Sequence, residues 1–114
     1  MPYINVSVSK NLGEADRDAI KQEMGKLITV VPGKSEGVLM VQIEDNRTTY
    51  FGGEKKDNAA YVDIRLLGSV SQDVRRELMS QSFEVLGRLV GVSEADMFVT
   101  VSEHGNWGYR GGMI

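Results

Sequence analysis

The chain has no cysteine and only one histidine, His104. Disulfides, thiolate metal sites, cysteine nucleophiles and CxxC redox chemistry are therefore excluded together, and so is a histidine-rich metal site. No apolar run approaches the roughly 18 residues of a membrane span, and the N-terminus lacks a basic stretch followed by an apolar one. A cytoplasmic protein without a membrane partner is the default expectation. Basic runs are missing too: 13 Lys and Arg stand against 16 Asp and Glu, a formal charge of −3, which leaves no electrostatic footprint for nucleic acid. No glycine-rich strand-to-helix loop resembles a phosphate cradle, since Gly52-Gly53 stands alone.

What is present is an ordinary globular composition, 41% hydrophobic and 25% charged, which argues against disorder. A length of 114 residues suits a single domain, 1–114, with one modest core. Tyr3-Ile4-Asn5-Val6-Ser7-Val8-Ser9 alternates apolar and polar side chains, the period of a half-buried strand. From Glu14 the period changes: Ile20, Met24, Leu27 and Val31 make a helical stripe, with Pro32-Gly33 predicted to stop it. Val38 to Ile43 reads as a second strand and 46–58 as a polar connection.

The second half repeats the first. Tyr61 to Leu66 is a strand, Ser71 caps a helix bearing Val74, Leu78, Val85 and Leu89, Gly91 ends it, and Met97 to Ser102 is another strand. At an offset of 58, Tyr3 aligns with Tyr61, Gly33 with Gly91, Ser35 with Ser93, Glu36 with Glu94 and Val41 with Val99. Strand, helix and strand recur in register, which reads as two βαβ pseudo-repeats, 2–45 and 60–103. The predicted class is α+β: a four-stranded mixed sheet with two helices on one face and a C-terminal arm. Apolar side chains at Leu66, Leu67 and the Val38 to Val41 run are expected on both faces, so self-association is expected to cover the open one, with the arm adding an edge strand to a neighbour.

The unusual residue is Pro2, immediately ahead of the first strand. Removal of Met1 leaves a secondary amine at a fixed place, and a retained Met1 leaves a tertiary amide with no basicity. Desolvation and a nearby cation both favour the neutral amine, the form a general base needs. Lys34, just past the first helix, is a source of that cation. Local sequence also allows Pro2 as a tolerated start residue and Lys34 as a solvated loop lysine. His104 reads as a surface-turn residue, and the methionines at 24, 40, 79 and 97 read as core. Arg65 either pairs with Asp63 or Glu44 or binds a carboxylate; Tyr50, Trp107 and Tyr109 either rim a pocket or pack an interface.

Taken together, Met1-Pro2-Tyr3-Ile4, Gly33-Lys34, Phe51-Gly52-Gly53, Leu67-Gly68 and Trp107-Gly108-Tyr109-Arg110-Gly111 resemble the macrophage migration inhibitory factor and D-dopachrome tautomerase family in order and approximate spacing. The resemblance covers nearly the whole chain. It implies a homotrimer that tautomerises phenylpyruvate-like α-keto acids without cofactor or metal. Carried over by position, it implies Pro2 as catalytic base, with Lys34 binding the substrate carboxylate or oxyanion and Leu67 supplying an apolar wall and a backbone group. Phe98 and Thr100, from the neighbouring subunit, stand where the best-known members have tyrosine and asparagine. These two departures keep open a non-catalytic reading, a cytokine-like trimer that binds other proteins.

Overall fold

The computed structural model describes all residues, Met1–Ile114. Strand β1 (Pro2–Val8) leads to helix α1 (Glu14–Leu27), strand β2 (Met40–Glu44), a small hairpin of β3 (Tyr50–Phe51) and β4 (Glu54–Lys55), strand β5 (Ala60–Leu67), helix α2 (Gln72–Val90), strand β6 (Met97–His104), and a second small hairpin of β7 (Gly108–Tyr109) and β8 (Gly112–Met113). The main sheet has the order β2-β1-β5-β6. β2 runs parallel to β1 and β6 to β5, whereas the two central strands are antiparallel. Both parallel pairings have the same separation of 37 residues, Tyr3 with Met40 and Tyr61 with Phe98. Asn5 lies opposite Asp63 at the centre of the antiparallel pair, and these two are also equivalent at the offset of 58. The sheet thus has a pseudo-two-fold axis through that pair.

Period-2 alternation decides which strand residues enter the core. Ile4, Val6, Val62, Ile64 and Leu66 are fully buried under the helices, while Tyr3, Asn5, Tyr61 and Arg65 face the other way. Against them the helices lay Ile20, Met24 and Leu27 from α1 and Leu78, Val85, Leu86 and Val90 from α2. Arg88 of α2 reaches Glu23 of α1 at 3.6 Å, tying the helix pair at its rim. Truncating a side chain at the centre removes transfer energy and leaves a cavity, so Ile64→Ala should cost about 2 to 5 kcal/mol of unfolding free energy. Urea denaturation at fixed protein concentration checks it.

Capping follows the residues. Ser71 Oγ accepts from the Val74 N–H at 3.2 Å, and Gly91 closes α2 in the left-handed region at φ 75°, a conformation that costs any residue with a Cβ. Helix α1 ends earlier than Pro32-Gly33 suggests. The segment Ile28–Val30 tightens into a 3-10 turn, which keeps Ile28 and Val31 buried although the α-helix has stopped. Likewise Glu36–Val38 is a 3-10 turn, and β2 starts only at Met40.

Three further features add to the sequence reading. The 46–58 connection contains the β3–β4 hairpin, whose turn places Gly52 and Gly53 at φ 62° and 83°, a pair of positive values that glycine adopts without strain. The C-terminal arm folds on itself, with Gly108 paired to Met113 and the Ile114 N–H bonded to the Trp107 carbonyl at 2.8 Å. The open sheet face is less apolar than the strand runs imply, because Leu66 and Val41 point inward. Its side chains instead hydrogen-bond to each other: Tyr3 to Gln42, Ser7 to Glu44, and Tyr61 with Thr100. Exposed apolar side chains include Phe98 on the edge strand β6 and Met113 in the C-terminal hairpin, at 58% and 77% exposure. Met40 is exposed as well, unlike the buried Met24 and Met97, and Met79 is half-buried.

Candidate active site

Pro2 is buried at the first position of β1, opposite Leu66. Its ladder neighbour Leu67 donates its N–H to the Met1 carbonyl at 3.1 Å, the carbonyl attached to the Pro2 nitrogen. The Leu67 carbonyl accepts from Lys34 Nζ at 3.0 Å. Leu67 therefore bridges the N-terminus and the lysine. Two local features deliver Lys34 to that point: the turn in which the Lys34 N–H bonds the Val31 carbonyl, and the positive φ of 76° at Gly33.

The terminal amine of Met1 has its pKa held below the ordinary α-amino value, first by burial and then by the Lys34 side chain, through both a hydrogen bond and its charge. Each effect disfavours the ammonium form. This pairing of amine and cation joins Pro2, Lys34 and Leu67 at one end of the sheet.

The surface around Pro2 differs from the sequence expectation in its other members. A cleft of about 630 Å³ opens beside Met1, Pro2 and Tyr3, walled by Val38, Met40, Arg65, His104, Trp107 and Tyr109. Lys34 and Leu67 border a separate cleft of about 290 Å³ with Val31, Pro32 and Val74. His104 is not in a surface turn. It ends β6 in register with Leu67, half-buried, its ring edge-on to Trp107 at 5.8 Å between centroids. Arg65 pairs with Asp63, at 2.9 Å from Nη2 to Oδ2, and not with Glu44; its guanidinium also lies 5.4 Å from the Tyr3 ring centroid. Tyr50 belongs to the distant hairpin, whereas Trp107 and Tyr109 do rim the cleft.

Phe98 and Thr100 lie elsewhere in the chain. Phe98 is level with Tyr61, its ring 5.1 Å from that of Phe51 and tilted 43° to it. It is five residues along β6 from Glu103, the residue level with Leu66, so at about 3.3 Å per residue it stands roughly 17 Å down the sheet from Pro2. Within one chain these two residues and Pro2 do not meet. No three histidine, cysteine or carboxylate side chains converge where a metal ion could be held, and no helix is long and apolar enough to cross a membrane.

Sequence comparison finds no matching family model and no matching curated relative. Comparison of structures does. Leishmania major MIF2 superposes with a TM-score of 0.90 at 20% identity, over 100% of this chain and 97% of that one. A macrophage migration inhibitory factor homologue from Prochlorococcus marinus gives 0.87 at 17% identity, over 97% of each chain. Pt0534 inactivated by 2-oxo-3-pentynoate gives 0.84 at 13% identity, over 96% of this chain and 93% of that one. With TM-scores of 0.84 to 0.90 over nearly the whole of both chains, the chain has the fold of the macrophage migration inhibitory factor family.

Proposed function

We propose that the protein is a cofactor-independent keto-enol tautomerase of phenylpyruvate-like α-keto acids, with the amine of Pro2 as general base once Met1 is removed. The observation that carries this reading is the junction at the N-terminus, where Lys34 Nζ donates to the Leu67 carbonyl at 3.0 Å and the Leu67 N–H donates to the Met1 carbonyl at 3.1 Å; burial and this cation hold the Met1 amine below its ordinary pKa. Loss of Met1 moves the amine one residue inward, onto the more buried Pro2, where desolvation favours the neutral form further. It also frees the Leu67 N–H from the Met1 carbonyl, leaving a donor beside the new amine. Pro2 then takes a proton from the carbon next to the keto group, while Lys34 and the Leu67 N–H stabilise the developing enolate oxygen, which takes a proton from solvent water to give the enol. In the reverse direction the Pro2 ammonium returns that proton. Capture of Pt0534, a protein of the same fold, in a form inactivated by the α-keto acid 2-oxo-3-pentynoate supports this ligand class.

The assembly belongs to the same proposal. Phe98 and Thr100 can reach a Pro2 site only from a second copy of the chain, and exposed Phe98 and Tyr61 give such a copy a surface to cover. Light scattering should report about three times the chain mass of 12.6 kDa; a stable monomer would contradict it. The alternative, a non-catalytic trimeric interaction module, draws on the missing phenol at Phe98 and the missing amide at Thr100. It leaves the depressed amine and the placement of Lys34 without use.

The reading is tested with 2-oxo-3-pentynoate as a label. Its alkynyl ketone accepts an amine by conjugate addition, so the whole reagent mass is gained and nothing leaves. Peptide mapping should place the adduct on Pro2, together with loss of phenylpyruvate ketonisation. An active protein labelled elsewhere, or not at all, would place the base on another group.

A further inference from the structure

We propose that Arg65 is the group that binds the substrate's carboxylate in the Pro2 cleft, and so makes the site prefer α-keto acids over neutral ketones; this rests on the tautomerase reading and deepens it. No aspartate or glutamate lines the cleft, and Arg65 is its one permanently charged side chain. In a chain of net charge −3 this concavity is thus faced by a cation and by no carboxylate. Across the ladder Arg65 is the partner of Tyr3, whose Cα is about 3.8 Å from that of Pro2. Register thus sets Arg65 one ladder position from Pro2, and both line the same cleft.

Its orientation is set from two sides. Asp63 Oδ2 accepts from Nε at 3.2 Å and from Nη2 at 2.9 Å, and the Tyr3 ring lies 5.4 Å from Cζ. Nη1 has no protein partner among the hydrogen bonds of Arg65. One edge of the fork is held by Asp63. The other, Nη1 with the second proton of Nη2, remains to bind a carboxylate through two parallel bonds. Asp63 is outside the cleft wall, so it holds the guanidinium without occupying the ligand's place. Lys34 borders the smaller cleft and donates to the Leu67 carbonyl, which suits it to the enolate oxygen beside the amine. The two cations thus divide the substrate between them, Lys34 on the oxygen that gains charge and Arg65 on the carboxylate that already carries it.

Binding separates this assignment from catalysis. Protein beginning at Pro2, verified by intact mass, is titrated calorimetrically with 3-phenylpropionate and with its uncharged amide. The intact site should bind the acid more tightly than the amide. Arg65→Gln should raise the Kd of the acid about ten- to a hundredfold, the usual value of a charge-assisted bond, and leave the amide within about twofold. Arg65→Lys, which keeps the charge and loses the fork, should recover only part of the difference. Lys34→Gln should leave the acid-to-amide ratio unchanged. The proposal is overturned by an equal ratio before and after Arg65→Gln with the fold intact by circular dichroism, by no acid preference at all, or by loss of that preference in Lys34→Gln instead. A preparation without tautomerase activity that still shows Arg65-dependent acid binding would keep this assignment and remove the tautomerase reading; an active enzyme with an unchanged ratio would do the reverse.

Discussion

Protein that begins at Pro2 should convert enol phenylpyruvate to the ketone, and the same protein with Met1 retained should not. In the retained form the Pro2 nitrogen is a tertiary amide, and the only amine is displaced by a residue onto the less buried Met1. The Leu67 N–H is also occupied, by the Met1 carbonyl at 3.1 Å, so one enolate donor is lost together with the base. A positioned general base contributes roughly a hundred- to ten-thousandfold, and the blocked form should fall by at least that factor. Two preparations that differ only in the first residue, compared by loss of enol absorbance, measure the effect. Equal rates would mean that the base lies elsewhere.

Lys34→Ala should carry two separable costs. At the Met1 amine this cation is the second and third cause of the lowered pKa, after burial, and in the protein that begins at Pro2 it is expected to act on the Pro2 amine in the same way. Without it only burial remains, and the pKa rises. Activity requires the neutral amine, so it is lost as pH falls through that pKa, and the acid limb of the pH-rate profile should move to higher pH. Each unit of rise removes about tenfold of the active base below the limb. Well above the limb the amine is neutral in both proteins. There only the missing contact to the enolate oxygen counts, about ten- to a hundredfold in kcat/KM. Stability should change little, because Lys34 is a half-exposed loop residue whose side chain bonds a single carbonyl, that of Leu67. A uniform loss across pH would assign Lys34 to substrate contact alone.

Much of the fold was legible because two periods differ. Alternation at Tyr3 to Val8 and at Tyr61 to Leu66 can be satisfied only by a strand, and the stripe Ile20, Met24, Leu27 only by a helix. The end of α1 was not legible, since Ile28 and Val31 continue the apolar pattern through a 3-10 turn that buries them as an α-helix would. The β7–β8 hairpin escaped for a different reason. Its turn uses Arg110 at φ 53° before Gly111, where a pair of glycines or an asparagine would have marked it. Pro2, Lys34 and Leu67 are candidates from sequence, through the position of Pro2 and the family resemblance. His104 reads from sequence as a surface-turn residue, and Arg65 and Trp107 each stay open between two roles, because their meeting in one cleft depends on long-range register, Tyr3 with Arg65 and Leu67 with His104. One available signal was parity: His104 falls on the same face as Phe98, Thr100 and Ser102 if β6 continues past Ser102, as it does.

Whether the Pro2 amine is the base is tested most directly by titrating that atom. The chain has two prolines, Pro2 and Pro32, so labelling with 15N-proline gives two nitrogen signals, and only a free Pro2 amine can titrate. Its midpoint should lie below the ordinary α-amino value of about 8, coincide with the acid limb of the pH-rate profile, and move upward with that limb in Lys34→Ala. A Pro2 amine that titrates at an unshifted value, while the rate follows a different midpoint, would contradict the account.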